Sequence, residues 1–250
     1  MPQKAPALIN HKMNYKTIFS SLSILVLMNC STPIQQKNNE VKVIGEMRNV
    51  MWKGELQGNI HLDTISNKTN LYGLGPVEYL AGEVIIIDGK SYKSTVTSDT
   101  SMNVEETFDI KAPFFGYANI SQWAERTLPD SVQTIQQLEV YLDEVTKNSP
   151  RPFMFKLAGT VEQATIHIVN LPPNSKVSSP DEAHQGQINY ELEKAPSEIV
   201  GFFSTNHKAI FTHHDTFLHM HLITKDREKM GHLDRVLFQS GTMKLYLPRE

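Results

Sequence analysis

Cysteine is almost absent from this 250-residue chain: Cys30 is the only one, so no intrachain disulfide can form and no set of thiolates is available for a structural zinc. A basic excess is missing too. The chain has 24 Lys and Arg against 27 Asp and Glu, a formal net charge of −3; without residues 1–30, which hold Lys4, Lys12 and Lys16 and no acid, 21 bases face 27 acids and the charge is −6. That balance argues against a nucleic-acid surface. There is no internal repeat or low-complexity tract, and no apolar run is long enough to span a bilayer. What is present, 40% hydrophobic and 20% charged residues, suits a globular protein of one domain or two small lobes.

After Lys16 the stretch "TIFSSLSILVLM" has the length and flanks of a signal-peptide core. It ends in "LMNC", which resembles the lipobox of bacterial lipoproteins, whose cysteine becomes the lipid-modified first residue of the mature chain. The resemblance implies a lipoprotein-type signal peptide over residues 1–30 and lipidation at Cys30. It implies an exported protein held to a bacterial membrane only by its lipid, with the domain in the periplasm or at the cell surface. An uncleaved anchor or a buried free thiol is the alternative, and Met13 is an alternative start. Residues 31–45, including "STPIQQKNNE", read as a polar tether, and 46–250 as the folded domain.

Within that domain "VKVIGEM", "GELQGNIHL", "AGEVIIIDGKSYKST" and "TFDIKAPFFGYANI" carry the β-branched and aromatic enrichment of strands. Asp88-Gly89 supplies a tight hairpin turn. In "PDSVQTIQQLEVYLDEVTKN" the residues Val132, Ile135, Leu138, Leu142 and Val145 recur at helical spacing, with Asp130 as expected N-cap and Pro150 beyond the end. "PFMFKLAGTVEQATIHIV" returns to strand, "LPPNSKVSSPDEAHQGQ" reads as loop, and "EIVGFFSTN", "FLHMHLIT" and "HLDRVLF" form a second strand group. The expected fold is α+β: a β-rich, two-lobed domain of mixed sheets with one principal helix.

Three of the ten histidines, His219, His221 and His232, fall in the pattern H-x-H-x10-H. In "FLHMHLIT" they alternate with Leu218, Met220 and Leu222, so an extended chain puts His219 and His221 on one face. The polar turn "TKDREKMG" would bring His232 back beside them, on adjacent strands of the C-terminal lobe. Three neutral imidazoles leave a fourth tetrahedral position open, as in catalytic zinc sites. Spacing alone also admits ordinary histidines on a hairpin.

The segment "FLHMHLITKDREKMGHLDRV" resembles the zinc-binding segment of the bacterial α-acetolactate decarboxylases, a His-x-His strand, a charged turn and Gly-His, with the three ligand positions on His219, His221 and His232. "GLGPVEYLAGEVIIIDGKSY" is similar to the family's glycine-rich and Asp-Gly-Glu motifs, which puts the active-site glutamate on Glu83; a solvent-facing strand glutamate is the other reading. "PFMFKLAGTV" resembles a strand with a Tyr-Ala-x-Arg core, which puts the family arginine on Lys156.

The resemblance implies a zinc-dependent decarboxylation of α-acetolactate (2-hydroxy-2-methyl-3-oxobutanoate) to acetoin and CO₂. Zn²⁺ would act as electron sink, Glu83 would deliver or orient the proton, and Lys156 would neutralise the substrate carboxylate. It also implies a small 2-hydroxy-3-keto acid as partner and a possible homodimer. Three departures accompany it: Lys156 stands for arginine, Pro76 for threonine, and the chain ends at "LYLPRE", where the family continues into an acidic tail with a second glutamate that Glu250 would have to replace. The alternative function is a non-catalytic zinc-binding surface lipoprotein that binds a small carboxylate or a partner.

Overall fold

The chain divides into two compact units, Met1–Gln35 and Gln36–Glu250. The computed structural model describes residues 1–5, 39–208, 210–212 and 216–249. The expectations for Cys30, the signal-peptide core and Glu250 lie outside the described residues. Every element below belongs to the second unit.

The first half runs β1 (Lys42–Ile44), α1 (Met47–Lys53), β2 (Ile60–His61), β3 (Leu71–Pro76), β4 (Glu83–Ile87), β5 (Lys90–Val96), β6 (Met102–Glu106), β7 (Lys111–Ala112), β8 (Phe115–Asn119) and β9 (Trp123–Thr127). The second runs α2 (Ile135–Val145), β10 (Phe153–Ile168), α3 (Pro180–Ala183), β11 (Ile188–Phe203), β12 (Leu218–Thr224), β13 (Met230–Phe238) and β14 (Lys244–Pro248). One six-stranded sheet has the order β1-β8-β3-β4-β5-β6, the other β11-β12-β13-β10-β14-β9. In the second, β10 also pairs along its length with β11, so β10, β11, β12 and β13 close a hydrogen-bonded ring.

The β-rich α+β architecture is the expected one, with two differences of detail. All pairings between these strands are antiparallel, where mixed sheets were expected, because hairpins and short returns connect most neighbours. Regular structure also begins inside the stretch read as tether, since Lys42–Ile44 pair with β8.

Local chemistry explains the elements. The β4–β5 turn needs positive φ at both central residues, and Asp88 and Gly89 have φ of 48° and 77°. The principal helix is α2, but its N-cap is Thr134 rather than Asp130. The Thr134 hydroxyl accepts from the Gln137 N–H while the Gln137 side chain accepts from the Thr134 N–H, a capping box that fixes the start. Asp130 lies in a turn closed by the Val132 N–H to the Pro129 carbonyl.

The helix buries Leu138 and Leu142 against Phe155, Leu157 and Ile166 of the ring, each side chain contributing about 1.5–3 kcal/mol. A second core lies between the sheets, where Tyr72, Leu74, Ile85 and Ile87 meet Met154, Val200, Phe202 and Ile223. There Gly116 is required by close approach: a Cβ on it would stand 2.5 Å from the Phe202 ring.

Candidate metal centre

Strand register builds the site. His221 on β12 is directly opposite His232 on β13, and His232 is directly opposite His167 on β10. Opposed residues of antiparallel strands share a face, so these three imidazoles form a row across three strands, and His219 joins it two residues before His221. Ring centroids are 5.2 Å apart for His219 and His221, 5.2 Å for His219 and His232, and 5.6 Å for His221 and His232. His167 stacks on His232 at 4.6 Å with the planes 29° apart.

The opposing sheet contributes Glu83, the first residue of β4. It follows Gly82, at φ 149°, where a Cβ would stand 2.3 Å from the Ser94 carbonyl oxygen. The Glu83 carboxyl is buried, with Oε2 3.5 Å from His221 Nε2, Oε1 3.9 Å from His167 Nε2, and the Val169 N–H donating to Oε1 at 3.4 Å. Burial pushes its pKa well above the usual carboxyl range; the Val169 bond works against this and the Asp234 charge adds to it. Burial thus favours the protonated form of Glu83 in the metal-free fold.

Hydrogen bonds set the imidazole tautomers. His219 Nδ1–H donates to the Phe211 carbonyl at 2.7 Å. His232 Nδ1–H donates to Asp234 Oδ1 at 3.1 Å, and His167 Nδ1 lies 2.8 Å from both Asp234 oxygens. Burial would raise the Asp234 pKa, but the bonds from His167 and His232 outweigh it and hold the group ionised, well below the usual carboxylate range. Donation through Nδ1 leaves the lone pair of each ring on Nε2.

Asp234 reaches both rings from a β-bulge. Thr165 opposes Arg235 while Ile166 opposes Leu233, so Asp234 is the extra residue.

His221 is the exception. It is completely buried, its pKa is driven well down by burial and then by the neighbouring imidazoles, and neither ring nitrogen makes a geometrically sound hydrogen bond although the Val84 backbone lies beside it. Leaving such a group unsatisfied costs about 1–3 kcal/mol. An imidazole lone pair among others, facing a carboxyl, fits a metal ion. Among the described residues, ligand atoms of His167, His232 and Asp234 lie within 4.8 Å of one another and can hold one.

Two cavities reach the row. One, of about 530 Å³ including its open mouth, is walled by Met47, Met51 and Trp52 of α1 with Leu80 and Phe114, and exposes Glu83, His167, His219 and His232. The other, of about 740 Å³ on the same basis, lies under Gln136 and Glu139 of α2 and meets His219, His232 and Asp234. No lysine or arginine is among the described residues that line either.

The fold thus brings together His219, His221, His232 and Glu83, with Pro76 directly opposite Glu83. It leaves Lys156 two strands from His221 on the same face, with Val200 between them. Its ammonium sits 4.5 Å from the Tyr246 ring and 6.0 Å from those of Tyr72 and Trp123. Tyr72 is four residues along β3 from Pro76, about 13 Å of extended strand. Three aromatic faces, each worth about 0.5–1 kcal/mol to a partly exposed cation, hold the side chain there. This placement supports a packing role for Lys156, beside the role at the substrate carboxylate that the resemblance implies. Lys156→Met should leave metal content and turnover within about twofold while lowering the melting temperature by a few degrees, about 1 kcal/mol; a tenfold loss of turnover with the fold intact would restore the original expectation.

His167 and Asp234 are the site residues that motif spacing misses. The available signal was alternation: in "ATIHIV" Ala164, Ile166 and Ile168 pack into the ring core, which leaves Thr165 and His167 for the opposite face.

A row of imidazoles on an antiparallel β-ring, facing a buried acid in a cavity, has the make-up of a histidine-centred metal site open to small molecules. The family model described as "Alpha-acetolactate decarboxylase" matches residues 46–248, and the chain belongs to that family. It is 25% identical over 199 residues to the alpha-acetolactate decarboxylase of Brevibacillus brevis, covering 79% of this chain and 66% of that protein, so it spans just under two thirds of its relative's length. The fold matches the crystal structure of acetolactate decarboxylase from Bacillus subtilis subspecies spizizenii with a TM-score of 0.68 at 18% identity, over 84% of this chain and 86% of that one. A Staphylococcus aureus protein of unknown function, similar to alpha-acetolactate decarboxylase, matches with a TM-score of 0.65 at 18% identity, over 82% and 84% of the two chains.

Proposed function

We propose that this protein is a zinc-dependent carboxy-lyase that converts α-acetolactate to acetoin and CO₂, exported and held to the membrane by lipid on Cys30. The observation that carries the reading is the buried Glu83 carboxyl facing the imidazole row inside a cavity. His219, His221 and His232 would hold the ion through Nε2, with Asp234 and the Phe211 carbonyl orienting two of the rings from behind. Bound there, zinc supplies the Lewis acidity that an electron pair left by departing CO₂ requires.

The chain's own residues do the rest. The apolar wall of Met47, Met51, Leu80 and Phe114 excludes water from the methyl side of the substrate. When the bond from C2 to the carboxylate breaks, its electron pair stays on the carbon that bears the hydroxyl and delocalises toward the neighbouring ketone. Glu83 then gives its proton to that carbon, which yields acetoin, and is reprotonated from solvent.

The test is incubation of the zinc-loaded chain from residue 31 onward with α-acetolactate, assaying CO₂ and acetoin. One observation favours the second reading, a surface lipoprotein that binds zinc and a small carboxylate without turnover: no lysine or arginine lines the cavities among the described residues. A zinc-loaded protein that yields no acetoin above background supports that reading instead. For the anchor, Cys30→Ser is expected to move the protein from the membrane fraction to the soluble one; a variant that still pellets after an alkaline wash removes Cys30 as the attachment site.

A further inference from the structure

His167 is left unused by the mechanism above, and its surroundings give it a specific task. It is buried, lines the same cavity as Glu83, His219 and His232, and is held by a carboxylate that also holds His232. Because its Nδ1–H donates to the Asp234 carboxylate, the Nε2 of the neutral ring is the acceptor edge and faces the cavity. That atom lies 3.9 Å from Glu83 Oε1. Of the polar groups on a 2-hydroxy-3-keto acid, the ketone and the carboxylate only accept hydrogen bonds. The hydroxyl is the one donor.

We infer that His167 is the hydrogen-bond acceptor for the substrate's 2-hydroxyl, with Asp234 as the positioning residue that holds it to that task; the inference rests on the function proposed above. The carbon that bears the hydroxyl is also the carbon that loses CO₂ and takes the proton. A group that pins this hydroxyl beside Glu83 therefore pins the reacting carbon beside its acid. The stacking of His167 on His232, with both Nδ1 atoms on one carboxylate, turns both Nε2 edges away from Asp234 into the same space. One ring can then serve the ion while its neighbour serves what lies next to it. A site with a buried acceptor for a hydroxyl discriminates against molecules that lack it, because the acceptor is left unsatisfied.

The experiment uses the zinc-loaded protein and two stable acids that differ only in the hydroxyl, 2-hydroxyisobutyrate and isobutyrate, with binding read by calorimetry and zinc affinity by chelator competition. The wild type is expected to prefer the hydroxy acid by about tenfold or more, the worth of one hydrogen bond to a buried group. His167→Phe should abolish the preference, and His167→Gln, whose amide oxygen can occupy the Nε2 position, should restore it to within about threefold. Zinc affinity should stay within about twofold in both His167 variants and fall about 10- to 100-fold in Asp234→Asn, which disturbs the orientation of His232.

A wild type that prefers neither acid, a preference that survives His167→Phe, or loss of zinc in both His167 variants overturns the inference. The decarboxylase reading fails separately: a wild type with a His167-dependent hydroxyl preference that makes no acetoin binds hydroxy acids as inferred but is not a decarboxylase.

Discussion

Replacing His219 and His221 together by alanine is expected to reduce zinc from one ion per chain to less than about a tenth of that in metal analysis of the purified protein, because two of the three proposed ligands are gone. The second readout is thermal. An ion that binds only the folded state adds about 2.7 kcal/mol at a free concentration 100 times its dissociation constant, so added zinc should raise the melting temperature of the wild type and leave that of the variant unchanged. His221 makes the result informative, since its two buried nitrogens lack sound hydrogen bonds among the described residues and zinc would relieve that cost. If the variant retained the ion, the remaining set of His167, His232 and Asp234, whose ligand atoms already lie within 4.8 Å of one another, would be the true centre. Asp234 would then be a ligand rather than an orienting group. His232→Ala cannot distinguish these sets because it belongs to both; His167→Phe can, since His167 belongs to the second set alone.

What the sequence made legible follows the range of each physical signal. His219 and His221 were readable because alternation in one strand is local, and His232 because a short polar turn brings it back. The β4–β5 hairpin was readable from Asp88-Gly89 for the same reason. The packing of two sheets was not, since the meeting of Val200 and Ile223 with Ile85 and Ile87 depends on long-range closure of the ring. His167 enters the site through that closure alone: it lies at the far end of a 16-residue strand that pairs with three others.

Helix α1 was not legible, because seven residues are too short for a clear helical period; only its first residue, Met47, fell in a stretch read as strand. Its start after Gly45, at φ 68°, and its end at Gly54, at φ 65°, are backbone facts. Lys156 shows that a motif carries residue type but not side-chain direction. The residue type suited an anion, but the strand delivers it to Tyr246, Tyr72 and Trp123.

Glu83→Gln should lower the decarboxylation rate by about 10²-fold or more while leaving zinc content unchanged, the scale expected for loss of a general acid. The substitution is nearly isosteric, and its amide oxygen can still accept from the Val169 N–H that now donates to Oε1, so the fold has no reason to fail. The amide cannot give up a proton to carbon, which is the only function removed.

Stability against pH supplies an independent check on the metal-free protein. Burial raises the pKa of Glu83, so the folded state binds its proton more tightly than the unfolded chain. Above about pH 4.3, the ordinary value for a glutamate, the unfolded chain releases that proton first, and the folded state loses stability as pH rises toward the raised value. Glutamine has no such proton, so the alkaline fall should be shallower in Glu83→Gln. A variant with the wild-type pH profile of stability would mean that Glu83 is ionised in the fold, and normal turnover would take it out of the proton transfer. The combination of a hundredfold slower reaction, unchanged zinc and a flatter alkaline profile requires one buried carboxylic acid beside the histidines, because a solvent-facing glutamate has no raised pKa to lose and a purely structural one would not separate rate from stability.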